Sequence, residues 1–524
     1  MGHNNKSISR RKALSLLGQG GVTGFLAQHP MKILFTALLE GHSQKLMAQS
    51  EGITPRNYLA IRLAGAPPRW TWDPLHPYDN ASLLIPNAQV GTRFVSNGSK
   101  YIDVEYASTL INGVNMPWMW QFDLPRSSGG NRPMSELMDN MLVISGTDTN
   151  NPAHSGARLL QDFPLGIKYS LGSLPADQSS FPLPFINMNG NNSAFSSAKG
   201  LAPINLPVSN NNLLEDLLNP FLINPGIGFN KNKNSLSNML SSVFASLNSM
   251  ATNEHISSES LILSQSSAEE LIQSGFSDIA VVYPALKAKY EGLIAIAADP
   301  FASSLNGLSA QEIGDTEDLR TAINTVKEIR RMAEQFAVVE YVFKNNLCPS
   351  MTIVPQAFPG FNFDEHNADA MSSLAACTFW NRGLAACLLE LIDQLKASGI
   401  YNNAIIHVGG EFGRNPKNDA TGSDHCPQSS SNTFFGGALP GANFIGNTVI
   451  SSPQSNYLGT WGYMGSNLAL SNNPSAPIGY LNLGHLAASI ATMLKVPSPV
   501  TATPTILEEN NGQITSLLPS TKLV

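Results

Sequence analysis

Glu411, Arg414, Asp424 and His425 fall in one Gly/Asn/Ser-rich stretch of the chain, directly after the largely apolar run 404–408. A strand that stops at Gly409-Gly410 and hands polar side chains to a loop is how α/β enzymes present chemistry at the carboxyl edge of a sheet. Glu411 with Arg414 forms one cluster and Asp424-His425 a second. A third, Phe363-Asp364-Glu365-His366, follows Pro359-Gly360 and sets a carboxylate and an imidazole two residues apart, able to face one ion from an extended loop. Carboxylates mixed with imidazoles suit zinc, manganese or iron; calcium asks for more oxygens. The chemistry expected is catalysis or divalent-metal binding, with zinc or manganese as the cofactor. Arg414 either holds a neighbouring carboxylate or clamps a phosphate or sulfate. The competing reading of each cluster alone is a loop Asp or Asn that stabilises a turn.

The elements that must position these groups follow from the apolar pattern. Runs at 58–63 and 141–144 read as strands ending at Ala64-Gly65 and Ser145-Gly146, and 351–354 and 404–408 as two more. Helices are expected at 371–397 and 484–494, and a long amphipathic one is capped by Thr316 and Asp318. The chain parses into 1–50 as an export signal, 51–185 as the first half of an α/β core, and 186–257 as an Asn/Ser/Pro-rich insertion. Residues 258–345 form a helical cover, 346–510 the second half of the core, and 511–524 a tail.

Composition narrows the class. At 524 residues the chain exceeds one ordinary core, and 42% hydrophobic content is enough to build a large one. Only 13% of residues are charged, against roughly 25% in typical soluble domains, and the formal net charge is -7. No basic, aromatic-laced patch occurs, so nucleic acid is excluded as a partner. Cys348, Cys377, Cys387 and Cys426 form no CxxC pair, which argues against a zinc ribbon. Cys377 and Cys387 read as buried apolar groups, and Cys426 stands beside His425 in the suspect loop. No run reaches the ~20 apolar residues of an ordinary membrane span. Ser9-Arg10-Arg11-Lys12 before the modest apolar run 13–27 resembles a twin-arginine signal, with cleavage expected after Ala48-Gln49-Ser50 and a second apolar run at 31–39 as a possible anchor. The expected partner at that end is the twin-arginine export machinery, and the expected location is periplasmic or secreted.

Glu411-Phe412-Gly413-Arg414-Asn415-Pro416, Asp424-His425, Gly436-Gly437 and Gly446-Asn447-Thr448 succeed one another as E-F-G-R-T-P, D-H, G-G and G-x-T do in the bacterial domain family of unknown function numbered 1501. Only Asn415 departs. Phe363-Asp364-Glu365-His366 resembles that family's G-W-D-T-H element, and 151–157, Asn-Pro-Ala-His-Ser-Gly-Ala, its N-x-x-H-S-x-A element. The family is grouped with the alkaline phosphatase and sulfatase superfamily. The resemblance implies a mostly parallel sheet sandwiched by helices and a metal-assisted attack on an anionic phosphate or sulfate ester at the strand ends. It implies Asp364, His366, Glu411, Asp424 and His425 as metal ligands, Ser155 as nucleophile with His154 beside it, and Arg414 on the anion. It also exposes a departure: counted back from Asp73-Pro74, Trp70 stands where the family has a ligand Asp and Pro67 where it has Ser, while counted forward from Gly65 those places fall to Thr71 and Pro68, so either way the acid is missing. A tryptophan cannot hold a hard cation. His485, at the entry to the last helix where the family usually has Asp, offers a replacement nitrogen or is simply a histidine at a helix N-terminus. A relative that has lost catalysis and keeps the fold as an envelope binding or assembly module is the alternative expectation.

Overall fold

The computed structural model describes residues 54–74, 92–96, 102–179, 181, 183–188, 195–201, 203–205, 277–298, 330–355, 364, 366, 370–416, 422–446, 448–450, 461–463 and 481–518. The export signal, the caps Thr316 and Asp318 and much of the expected insertion lie outside these residues. Two compact units divide the chain, Met1–Met47 with Val208–Ala280 and Ala48–Pro207 with Val281–Val524. The second contains the sheet described here.

Its strands are β1 (Asn57–Leu63), β2 (Asn140–Thr147), β3 (Ile186–Met188), β4 (Ile204–Asn205), β5 (Ser350–Ile353), β6 (Ala404–Gly410), β9 (Ser430–Phe435) and β10 (Gly441–Gly446), with the separate hairpin β7 (Gly413–Pro416) and β8 (Ser423–Cys426) between β6 and β9. The eight-stranded sheet has the order β4-β3-β5-β1-β6-β9-β2-β10. Every strand but β9 runs the same way, since β9 is antiparallel to both β6 and β2 while the remaining pairs are parallel. The centre of the sheet is β1, with Tyr58 opposite Ser350 on one side and Ile405 on the other, and Leu63 opposite Gly410.

Near-continuous apolar runs are the mark of strands covered on both faces. All of β1 is buried, as is all of β6 but Gly410. Tyr58, Ala60, Leu142, Ile144, Ile405, Phe434 and Ile445 pack in one cluster with Leu486, Ile490 and Met493. Their strand neighbours Leu59, Ile61, Met141, Val143, Ile406 and Val408, pointing the other way, are equally buried. The helices are α1 (His154–Asp162), α2 (Ser277–Ala297), α3 (Arg330–Lys344), α4 (Ala370–Ala397) and α5 (Leu483–Leu494). From Ser373 to Ile392, α4 is buried on every side, which its apolar composition permits. Glu340 of α3 joins it to α2, accepting from Lys289 at 2.6 Å and from the Tyr290 hydroxyl at 2.7 Å, while Lys289 also reaches Glu390 of α4 at 3.2 Å.

Two boundaries differ from the sequence reading. The polar segment expected to leave the core at 186 first contributes β3, whose three residues are buried beside β5, and then β4. The expected tail at 511 cuts a hairpin: 507–510 pairs with 513–516, and Ile514 and Leu518 are buried in the cluster with α5. Among the described residues no helix is long and apolar enough to cross a membrane.

Candidate metal centre

Loops after β1, β2, β5 and β6 converge at the carboxyl edge of the sheet. β6 ends at Gly410, and the chain turns through the buried Glu411 and Phe412 into the β7–β8 hairpin, where Arg414 lies opposite His425. After β2, Asp148 Oδ1 accepts the Asn150 N–H at 2.7 Å and Asn151 Oδ1 the Ala153 N–H at 2.9 Å, the side-chain-to-backbone turns that Asp and Asn favour. They bring the chain to Ala153 as N-cap, so His154 opens α1.

His154, Asp364, His366 and His425 each offer a ligand atom to one point, all four atoms lying within 4.8 Å of one another. Each imidazole turns the same nitrogen inward. His366 Nε2 and His425 Nε2 are 2.8 Å apart, His366 Nε2 is 3.1 Å from Asp364 Oδ1, His425 Nε2 is 3.6 Å from that oxygen, and His154 Nε2 is 3.1 Å from Asp364 Oδ2. Ligand bonds of about 2 Å to a tetrahedral ion place the ligand atoms roughly 3.3 Å apart, and the contacts of 2.8–3.6 Å in this group lie on either side of that value. Among the described residues, His154 Nε2 is buried and, although 3.1 Å from Asp364 Oδ2, makes no hydrogen bond. A buried nitrogen is seldom left so, because an unsatisfied polar atom costs about 1–3 kcal/mol. A cation would satisfy it.

The outer nitrogens are turned toward protein acceptors. His154 Nδ1 contacts Glu411 Oε2, His425 Nδ1–H donates to the Pro152 carbonyl at 2.5 Å, and His366 Nδ1 lies 3.6 Å from Asp424 Oδ1. For His154 and His425 such partners favour the tautomer that leaves Nε2 with its lone pair, as around histidine-bound metals generally; with His425 Nε2 accepting, the 2.8 Å contact between the two rings puts the proton on His366 Nε2 until an ion displaces it. Glu411, 1% exposed, also accepts the Gly65 N–H at 3.1 Å and pairs through Oε1 with Arg158 Nε. Arg414 is fully buried and spends its guanidinium on protein oxygens: Nε donates to the Ala66 carbonyl and Nη2 to the Gly65 carbonyl and Asp364 Oδ1, each at 2.6 Å, and Nη1 to Ser423 Oγ at 3.3 Å.

Electrostatics prepare the set for a cation. Burial works to raise the Asp364 pKa, but the hydrogen bond and charge of Arg414, with His154 and His366, outweigh it and hold the carboxyl below its ordinary range. Burial lowers the His425 pKa; the Pro152 carbonyl opposes this, and the charges of Arg414, His154 and His366 reinforce it. An ionised Asp364 and a neutral His425 are the forms that ligate.

Of the residues singled out from sequence, Asp364, His366 and His425 are thus brought together. Glu411 and Asp424 stand behind them, Glu411 on His154 and Asp424 near His366, where it also accepts the His425 backbone N–H at 2.8 Å. His154, expected beside a nucleophile, supplies the fourth atom of the convergent group. Arg414, expected on the anion, is instead the buried brace of Asp364. Ser155 is exposed in the first turn of α1, and its hydroxyl makes no hydrogen bond among the described residues. Trp70, in the place of the expected acid, is buried at 2% exposure. His485 does not supply a replacement nitrogen: its Nδ1 accepts the Asn482 N–H at 3.2 Å in a capping box that starts α5. All four cysteines are free and buried, Cys426 included. Sequence reasoning passed over Arg158; its signal was a cation four residues after His154, on the same helix face.

Fold and site together define an α/β protein with a mainly parallel sheet and a half-buried three-histidine, one-aspartate group at its carboxyl edge that could hold a metal ion. Residues 324–455 match the family described as "Protein of unknown function (DUF1501)", a span that includes Asp364, His366, Glu411, Arg414, Asp424 and His425 but not His154. Comparison with curated proteins and with solved structures finds no match.

Proposed function

We propose that this protein is a metal-dependent hydrolase of an anionic phosphate or sulfate ester, exported through the twin-arginine route that its N-terminal arginine pair suggests, with His154, Asp364, His366 and His425 holding the ion. The observation that carries the reading is the inward convergence of three Nε2 atoms on one carboxylate while the Nδ1 atoms face protein acceptors. A divalent ion there would polarise the ester and offset the charge that develops as it is cleaved. Zinc fits the imidazole-rich set best, and manganese is the runner-up. Imidazoles ligate as neutral groups, so one carboxylate leaves a divalent ion net positive and attractive to an anion. His366 and Asp364 keep 36% and 26% of their side-chain surface open, as access by a substrate requires. Ser155, exposed next to His154 at the positive end of α1, is the hydroxyl we assign to attack: its oxygen would bond the phosphorus or sulfur as the ester oxygen leaves with the hydroxyl proton as an alcohol, and water would then release the phosphate or sulfate and restore the serine.

A second reading has its own support. Four protein ligands close a tetrahedral shell, as in structural zinc sites, and the tryptophan at position 70 removes an expected acid. On that reading the ion stabilises an envelope binding module that no longer turns over.

The deciding experiment is metal analysis of protein purified without chelator, followed by assay on p-nitrophenyl phosphate and p-nitrophenyl sulfate. A hydrolase shows stoichiometric metal and turnover that His366→Ala abolishes and Ser155→Ala cuts by at least a hundredfold. Metal without turnover selects the binding module, and absence of metal refutes the hydrolase and leaves the binding module without its ion.

A further inference from the structure

A centre that takes an anion needs a cation with donors to spare, and the two arginines beside this one differ sharply. Arg414 is 0% exposed and all three of its nitrogens are engaged by protein oxygens. Arg158 is 51% exposed and is engaged only through Nε, by Glu411 Oε1. Its two Nη groups meet no acceptor among the described residues. The Glu411 carboxylate binds His154 Nδ1 through its other oxygen, so a single buried group sets both the ligand imidazole and the guanidinium, one helical turn apart on α1. An arginine anchored through Nε keeps its terminal fork for a bidentate contact, the geometry that suits tetrahedral oxyanions.

We propose that Arg158 is the anion-recognition residue of the centre, its Nη groups binding two non-bridging oxygens of the phosphate or sulfate group presented there. The proposal rests on the metal-dependent reading above and names the side chain that gives it selectivity for an oxyanion ester over a neutral one.

The test uses the full chain loaded with one equivalent of zinc, as wild type, Arg158→Met and Arg158→Lys. Zinc content is measured by elemental analysis, and binding of inorganic phosphate and of sulfate by titration calorimetry. The expected result is full zinc content in all three, with affinity for at least one anion lower in Arg158→Met by roughly tenfold to a hundredfold, the usual weight of a charge-assisted contact. Arg158→Lys should fall between, because a point charge replaces a fork. The anion whose affinity drops identifies the ester class, and a drop in both marks a shared oxyanion site. Equal anion binding in wild type and Arg158→Met overturns the proposal, as does a zinc-loaded wild type that binds neither anion. So does a loss of zinc in Arg158→Met, which would make Arg158 only an anchor for Glu411. A wild type that takes up no zinc refutes the centre itself, a separate failure.

Discussion

At the scale of single residues, Glu411 touches no ion yet decides how one would be held. Its carboxylate fixes one imidazole from behind, and that kind of support typically accounts for ten- to hundredfold in metal affinity. Glu411→Gln keeps the volume and an acceptor but removes the charge. Zinc affinity, measured by competition with a chromophoric chelator, should fall within that range, while His425→Ala should abolish stoichiometric binding. An unchanged affinity in Glu411→Gln would mean that the residue merely fills space. The same scale explains what the sequence concealed. Asp364, His366 and His425 were legible because their types and short spacings advertise ligation. The role of His154 was not, since it depends on where β2 ends and how α1 turns its first residue. Nor was the burial of Arg414, which follows from the carbonyls of Gly65 and Ala66 lying opposite it after folding.

Among elements, the β7–β8 hairpin has the most to lose from a small change. Gly413 packs against the short turn at Ser429, and an added methyl would lie 2.7 Å from the Ser429 carbonyl carbon and closer still to its Oγ and carbonyl oxygen. Backbone at that distance cannot step aside cheaply, and overpacking of this kind costs about 1–3 kcal/mol. Gly413→Ala should therefore displace the hairpin that carries His425 and weaken zinc binding at least tenfold, although position 413 is not a ligand. Calorimetric zinc titration beside the circular dichroism spectrum checks this; full-strength binding with a native spectrum would show that the hairpin tolerates the shift. Strand β6 and helix α4 were readable to within a few residues because an unbroken apolar run has few ways to be satisfied outside a core. Strand β3 was hidden, as three residues in Asn- and Ser-rich surroundings carry almost no periodicity, and only pairing with β5 makes them a strand.

Across the molecule, acid should loosen the fold through a histidine distant in role from the ligands. His407 of β6 is buried, accepts the Tyr58 hydroxyl at Nδ1 at 2.8 Å and donates from Nε2 to Asn432 at 2.9 Å. Burial first, and the Arg62 charge second, hold its pKa well below the ordinary value. A depressed histidine binds its proton more readily in the unfolded chain, so stability declines as pH falls below about 6.5. While the buried ring stays neutral, the cost is on the order of 1 kcal/mol for each pH unit below that point. Lowered values at His425 and His485 act in the same direction. In chelator, the melting temperature should drop between pH 7.5 and 5.5, and His407→Gln, though less stable throughout, should show a shallower drop. Equal slopes would place the acid sensitivity elsewhere.

The convergent groups come from positions 154, 364, 366 and 425, and one link among them, from the Pro152 carbonyl to the His425 ring, joins points 273 residues apart in the chain. No nascent chain shorter than 425 residues carries the whole set. Any ion this group takes up would therefore be bound only after the hairpin carrying His425 has docked, and the ions of whatever compartment the chain folds in would compete for it.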